Sequence, residues 1–229
     1  MKTITKLVAV ALLSLPAFFA GTTDARACGM SVRLEPVKAK PTPVQEIARA
    51  EKSLEGGQNK EAAQTVLASF SGVRTATAGA NPLETRALRV FALAVVRSNG
   101  VVNERNAGSW SQNEWTPTAN LEWAIQSLRE IDAKRPNDPT VQADLGEALS
   151  KLSRTQDESL KLLGGLAQKD LMGSPFAYAA LAKIRTGKGD TAGAEAAIKR
   201  CEEMSKVPGV CKPAAPAAPA AKPVANARA

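Results

Sequence analysis

The chain has 229 residues and a formal net charge of +8, with 30 Lys and Arg against 22 Asp and Glu. It contains no histidine, three cysteines and only 4% aromatic residues. The lack of histidine excludes a Ser-His-Asp triad and any imidazole metal site, and three cysteines are too few for a Cys₄ zinc site. So few aromatic residues also argue against a stacking surface for single-stranded nucleic acid.

The first 27 residues have the pattern of a secretory signal peptide. Lys2 and Lys6 form a basic start, residues 7–20 are mainly apolar, and Ala25 and Ala27 mark a signal-peptidase site. The apolar stretch is shorter than the roughly 20 residues that a membrane-spanning helix needs. We therefore expect cleavage after Ala27 and export to the periplasm or cell surface of a bacterium, with no transmembrane segment in the mature chain.

Cys28 becomes the first residue of the mature chain if cleavage follows Ala27. An N-terminal cysteine raises the alternative of a lipid anchor. The charged Arg26 beside the cleavage site departs from the usual lipoprotein pattern, Leu-Ala-Gly-Cys, so export without a lipid anchor is the favoured interpretation.

Both ends of the mature chain have compositions typical of flexible segments. Residues 28–43 contain three prolines, and residues 212–229 combine proline with alanine, which offers too little apolar area to offset the entropy of ordering. We interpret them as a linker and a disordered tail. Most of the excess positive charge lies in these segments and in the signal peptide. The remaining chain is close to neutral, and a nucleic-acid partner is not expected.

Between residues 44 and 211 the apolar residues recur at intervals of three and four, as they do on the buried face of a helix. Glycines and prolines separate these runs, and no stretch of useful length has the alternation typical of a strand. The pattern predicts an all-α domain of about four helix pairs. An irregular insertion interrupts it at about residues 100–120.

One register of small, large and turn residues stands out in the middle of this domain: Ala124, Leu128, Ile131, Pro136, Leu145 and Gly146. The register resembles the tetratricopeptide repeat, in which small residues let the two helices of a pair approach closely. The other helix pairs match the repeat less well. The resemblance implies an α-solenoid, and a generic helical bundle is the alternative.

In a tetratricopeptide-like solenoid the first helix of each pair lines a concave groove. By this resemblance the partner-binding groove would present Arg86, Arg89, Leu93, Arg97, Lys151 and Lys183, with Glu147 and Ala179 beside them. Such a groove is modestly basic and suits an acidic peptide or a C-terminal carboxylate. The alternative is a charged helix surface without a ligand.

The insertion carries Trp110 and Trp115, and Trp123 follows on the next helix. Tryptophan is enriched where proteins bind one another, so Trp110 and Trp115 are candidate anchors for a partner. The competing interpretation is that their rings fold back over an exposed helix end. Trp123 is the one of the three that we expect in the core.

Cys201 and Cys211 are expected to form a disulfide. A turn at Pro208 and Gly209 allows the chain to return to the last helix, and export places the thiols in an oxidising compartment. Two unpaired thiols are the alternative. Cys28 is then left over and is acylated, paired with another chain or free.

The sequence contains no recognisable catalytic arrangement. It lacks a glycine-rich phosphate loop and a Cys-x-x-Cys motif, and its neighbouring acidic residues diverge by about 100° around their helices. We therefore expect no enzyme activity, no cofactor and no metal. The leading interpretation is an exported protein-interaction or scaffold module that binds an unidentified protein or peptide. The alternative is a structural cell-envelope protein whose basic flexible arms contact anionic polymer or lipid.

Overall fold

A computed structural model describes residues 40–102 and 116–212. The predicted signal peptide, residues 28–39 of the linker with Cys28, and the tail from residue 213 onward lie outside the described residues. Trp110 and Trp115 also lie outside them.

All regular structure in the two described ranges is helical, so the all-α prediction is confirmed there. The eight α-helices are α1 (Pro43–Glu55), α2 (Asn59–Ser69), α3 (Pro82–Arg97), α4 (Pro117–Lys134), α5 (Pro139–Leu149), α6 (Gln156–Gln168), α7 (Pro175–Gly187) and α8 (Thr191–Met204). Two short 3₁₀ turns, Val73–Thr75 and Ser153–Thr155, precede α3 and α6. No helix in the described part of the chain is long and apolar enough to cross a membrane.

Five helices begin with a polar capping residue followed directly by proline. The five caps are Thr42, Asn81, Thr116, Asp138 and Ser174, and each side chain accepts a hydrogen bond from a backbone N–H of the first helical turn. Proline is well suited to the next position. Its fixed φ matches a helix, and the N–H that it lacks would have no acceptor within the helix at that position. These pairs set the starts of α1, α3, α4, α5 and α7.

Each helix packs against the next one along the chain. The odd-numbered helices are also neighbours of one another, with contacts between α1 and α3, α3 and α5, and α5 and α7. The odd-numbered helices therefore share one side of the domain. The largest core cluster centres on α3, whose residues 90–96 are all buried.

Helices α5 and α6 approach closely at Gly146. A Cβ atom on Gly146 would lie 2.5 Å from Cδ2 of Leu163, which is fully buried. The hydroxyl of the buried Ser159 donates a hydrogen bond of 2.6 Å to the carbonyl oxygen of Gly146. The glycine singled out in the sequence thus stands where the next helix leaves no room for a side chain.

The described ends of the insertion are held together at its neck. Gly100 lies so close to Pro117 that a Cβ atom on Gly100 would be 2.1 Å from the carbonyl oxygen of Pro117. The buried Asn120 donates a 2.8 Å hydrogen bond to the carbonyl of Gly100 and accepts one of 2.9 Å from Arg74. The insertion therefore leaves and re-enters the domain at one point.

Trp123 packs against the core, as expected. Its ring meets that of Phe91 edge to face at 5.5 Å, and the guanidinium of Arg74 lies 4.8 Å from the Trp123 ring. The indole N–H donates a hydrogen bond of 3.2 Å to the backbone oxygen of Arg74. Trp123 is partly buried and joins α3, α4 and the 3₁₀ turn Val73–Thr75.

The disulfide between Cys201 and Cys211 is confirmed, with 5.6 Å between the two Cα atoms. It holds the segment that follows α8 against the domain. Within this segment Val207 reaches the turn between α1 and α2, since a Cβ atom on Gly57 would lie 3.0 Å from its Cγ1. The end of the last helix pair thus contacts the first pair.

Removing this disulfide should lower the free energy of unfolding by about 2–3 kcal/mol, because the unfolded chain gains the freedom of the opened loop. The test compares thermal unfolding of the wild type with that of the C201S/C211S variant, each with and without a reducing agent. Reductant should destabilise the wild type alone. Equal stability of the oxidised wild type and the double variant would contradict the expectation.

Candidate functional site

A concave site lies on the side of the odd-numbered helices. It is a cavity of about 630 Å³ bounded by α1, α3, α5, the start of α7 and the segment after α8. Val90, Leu93 and Phe176 contribute apolar surface, while Arg89 and Asp144 are among its charged residues. Another, smaller cavity of about 220 Å³ adjoins α3, α5 and α7.

The structure brings five of the six predicted groove residues to these two cavities. Arg89, Leu93 and Arg97 line the larger one. Arg97 also lines the smaller one, together with Lys151 and Lys183. Arg86, the sixth, lines neither of them.

The three arginines of α3 are each paired with a carboxylate on a neighbouring odd-numbered helix. These pairs are Arg86 with Glu51, Arg89 with Asp144 and Arg97 with Glu147. The groove is thus less basic than the sequence suggested, because the arginine charges are balanced within the domain. Sequence reasoning missed Glu51 and Asp144 as partners. Each of these carboxylates is at least 35 residues from its arginine in the sequence, so no local pattern indicated the pairing.

Arg97 connects four helices. Its guanidinium forms two hydrogen bonds to the Glu147 carboxylate, at 2.9 and 3.0 Å, and a third of 3.3 Å to the backbone oxygen of Leu54. It also lies 3.7 Å from the centre of the Phe176 ring. Its side chain is only 8% exposed and that of Glu147 only 3%. Arg97 therefore joins α1, α5 and α7 to α3.

Asp144 is buried beside Arg89, whose Nε lies 2.5 Å from its carboxylate. Burial raises the pKa of Asp144 to about 6, although the charge and hydrogen bond of Arg89 oppose that rise. Glu147 raises this pKa further, and Arg97 lowers it. Asp144 consequently gains a proton under mildly acidic conditions, and Arg89 then loses its charged partner.

The contribution of Asp144 to stability should therefore fall as the pH rises from about 4 to about 6. In this window the folded chain holds a proton on Asp144 that the unfolded chain, with a pKa near 3.8, has released. The steepest slope from this group is about 1.4 kcal/mol per pH unit. The measurement is the difference in unfolding free energy between the wild type and D144N across this range. A difference that does not vary with pH would contradict the raised pKa.

Lys151 stands at the smaller cavity with its side chain largely covered. Its ammonium donates a hydrogen bond of 3.0 Å to the side-chain oxygen of Asn99. Burial lowers the pKa of Lys151, and the positive charges of Lys183 and Arg97 add to that effect, while Glu147 opposes it. Lys183 is exposed at the rim. The positive charge of this region thus lies mainly with lysines.

The described residues contain no group of three or more Cys, Asp or Glu side chains placed to hold a metal ion. Comparisons of the chain with models of known protein families, with curated proteins and with solved structures found no match. The candidate site is accordingly defined by its own geometry.

Proposed function

We propose that this chain is an exported protein-interaction module without catalytic activity. In this proposal its four helix pairs form a tetratricopeptide-like solenoid, and a segment of a partner protein binds along the odd-numbered helices. The contacts of α1 with α3, of α3 with α5 and of α5 with α7 support this arrangement, because in such repeats the first helices of successive pairs are neighbours.

The observation that carries the proposal is the larger concave cavity. Its volume of about 630 Å³ falls within the range of roughly 300–1,000 Å³ that is common for ligand pockets. Apolar side chains from α3 and α7 line it beside paired charges. A bound segment is expected to insert an apolar side chain there, because the arginines of α3 already have carboxylate partners.

Export is part of the same proposal. The signal-peptide pattern of residues 1–27 predicts it, and the Cys201–Cys211 disulfide supports it, since disulfides persist mainly in oxidising compartments. The periplasm or cell surface of a bacterium is the proposed location.

The test places a tryptophan at the edge of the larger cavity to block it. Thr140 lines the cavity, is exposed, and follows the first proline of α5. Thr118 is its matched control, since it is also exposed and follows the first proline of α4 but does not line the cavity. The mature wild type, T140W and T118W are used to capture proteins from a bacterial periplasmic and envelope extract.

We expect at least one partner whose recovery falls about tenfold or more with T140W and is unchanged with T118W, with both variants folding as the wild type does. Equal recovery by all three proteins would contradict binding in the cavity. A variant ending at residue 212 tests the alternative role as a structural envelope protein. That alternative would be favoured if the truncated variant no longer bound envelope fractions while T140W bound them as the wild type does.

A further inference from the structure

The smaller cavity holds an excess of positive charge. Arg97, Lys151, Lys183 and Lys212 line it, and Glu147 is the carboxylate among its described lining residues. Both oxygens of that carboxylate already accept hydrogen bonds from Arg97. The three lysines are therefore not balanced by any carboxylate in the described wall of the cavity.

Lys151 shows the electrostatic consequence. Its hydrogen-bond acceptor, Asn99, is neutral. Its pKa is lowered by burial and, against the opposing charge of Glu147, by the charges of Lys183 and Arg97. An anion in the cavity would offset both effects, because it would supply the opposite charge that the wall lacks.

The start of α2 adds to this environment. Asn59, the first residue of α2, lines the same cavity. Its side-chain oxygen is buried and has no hydrogen-bond partner among the described residues. No described side chain caps α2, and the N-terminal end of a helix carries partial positive charge. A protonated oxyanion could donate to the Asn59 oxygen while accepting from the lysines.

We propose that the smaller cavity is a binding site for an oxyanion the size of phosphate. Lys151 and Lys183 are its principal donors, and Lys212 adds charge from the segment after α8. A phosphate group carries about −1.5 to −2 at pH 7, so it matches the three unbalanced lysines better than a single carboxylate does. The volume of about 220 Å³ holds such a group. This site would add a phosphate-recognition role to the proposed interaction module. It rests on the proposed function only in that a partner protein would carry the phosphate.

The experiment titrates the mature chain with inorganic phosphate at constant ionic strength and follows melting temperature and heat of binding. We expect saturable stabilisation. K151M and K183Q should each weaken phosphate binding about tenfold, because each removes one charge-assisted hydrogen bond. Lys183 is exposed, so K183Q should fold normally even if K151M does not.

The matched control is K161Q. Lys161 is an exposed lysine of α6 that lines neither cavity, so this variant loses the same charge and should bind phosphate as the wild type does. Absence of saturable binding, or an equal loss with K161Q and K183Q, would overturn the proposal. Acetate that binds as tightly as phosphate would overturn the assignment to phosphate.

A further titration distinguishes a phosphate group carried on a larger molecule from the free phosphate ion. Glycerol 3-phosphate that binds like inorganic phosphate would support a site for a phosphate carried on a larger molecule. Binding of inorganic phosphate alone would support a site for the free ion. Because these titrations use no protein partner, their failure is distinguishable from failure of the capture experiment.

Discussion

Replacing Arg97 with methionine should lower the free energy of unfolding by about 3–5 kcal/mol, because it leaves the Glu147 carboxylate buried without its partner. That carboxylate is 3% exposed, and both of its oxygens accept hydrogen bonds from Arg97. The substitution also removes the contact with the Phe176 ring and the hydrogen bond to the Leu54 carbonyl. Chemical denaturation of R97M and the wild type measures the difference.

Two further variants test the cause. R154M breaks the ion pair with Glu122, whose side chains are 66% and 42% exposed, and should change stability by less than about 1 kcal/mol. The double variant R97M/E147L should regain much of the stability that R97M loses, since it leaves no unpaired charge behind. If R97M and R154M lost the same small amount, the buried pair would not be the link between helices that its geometry indicates.

Replacing Gly100 with alanine should destabilise the domain by about 2–5 kcal/mol. Gly100 has a φ of +77°, where an L-residue is strained by roughly 1–2 kcal/mol. Its new Cβ would also lie 2.1 Å from the Pro117 oxygen. The neck of the insertion would have to open, which adds the roughly 1–3 kcal/mol typical of overpacking.

Gly189 provides the control for the G100A variant. Its φ of +78° is nearly the same, but a Cβ atom there would have no described neighbour within 4 Å. G189A should therefore show the backbone strain alone, and thermal unfolding of both variants measures the additional effect of the contact. If G100A and G189A lost the same stability, the contact between Gly100 and Pro117 would add no cost beyond the backbone strain.

The helices were predictable because their signals are local. The apolar spacing of three and four predicted buried helix faces, and on α1 the residues with this spacing, Ile47, Ala50 and Leu54, are all buried. The disulfide followed from a turn between two nearby cysteines. Gly146 was singled out within a register of residues in its own and the preceding helix. In each case the informative residues lie close together in the sequence.

The electrostatics of the site were not predictable in the same way. Arg89 and Asp144 are 55 residues apart, and Arg97 and Glu147 are 50 apart. Their pairing depends on how α3 and α5 lie against each other, which helical periodicity does not specify. The sequence therefore suggested that the three arginines of α3 carry unpaired positive charge, although the folded domain places a carboxylate beside each one.

The return of Val207 to Gly57 affects how the domain is expected to fold. In an open array of repeats, each unit contacts only its neighbours, and stability is close to a sum of local terms. Here the segment after α8 also contacts the turn between α1 and α2. Loss of either end therefore removes contacts from the other, which favours cooperative unfolding of the domain from α1 to α8.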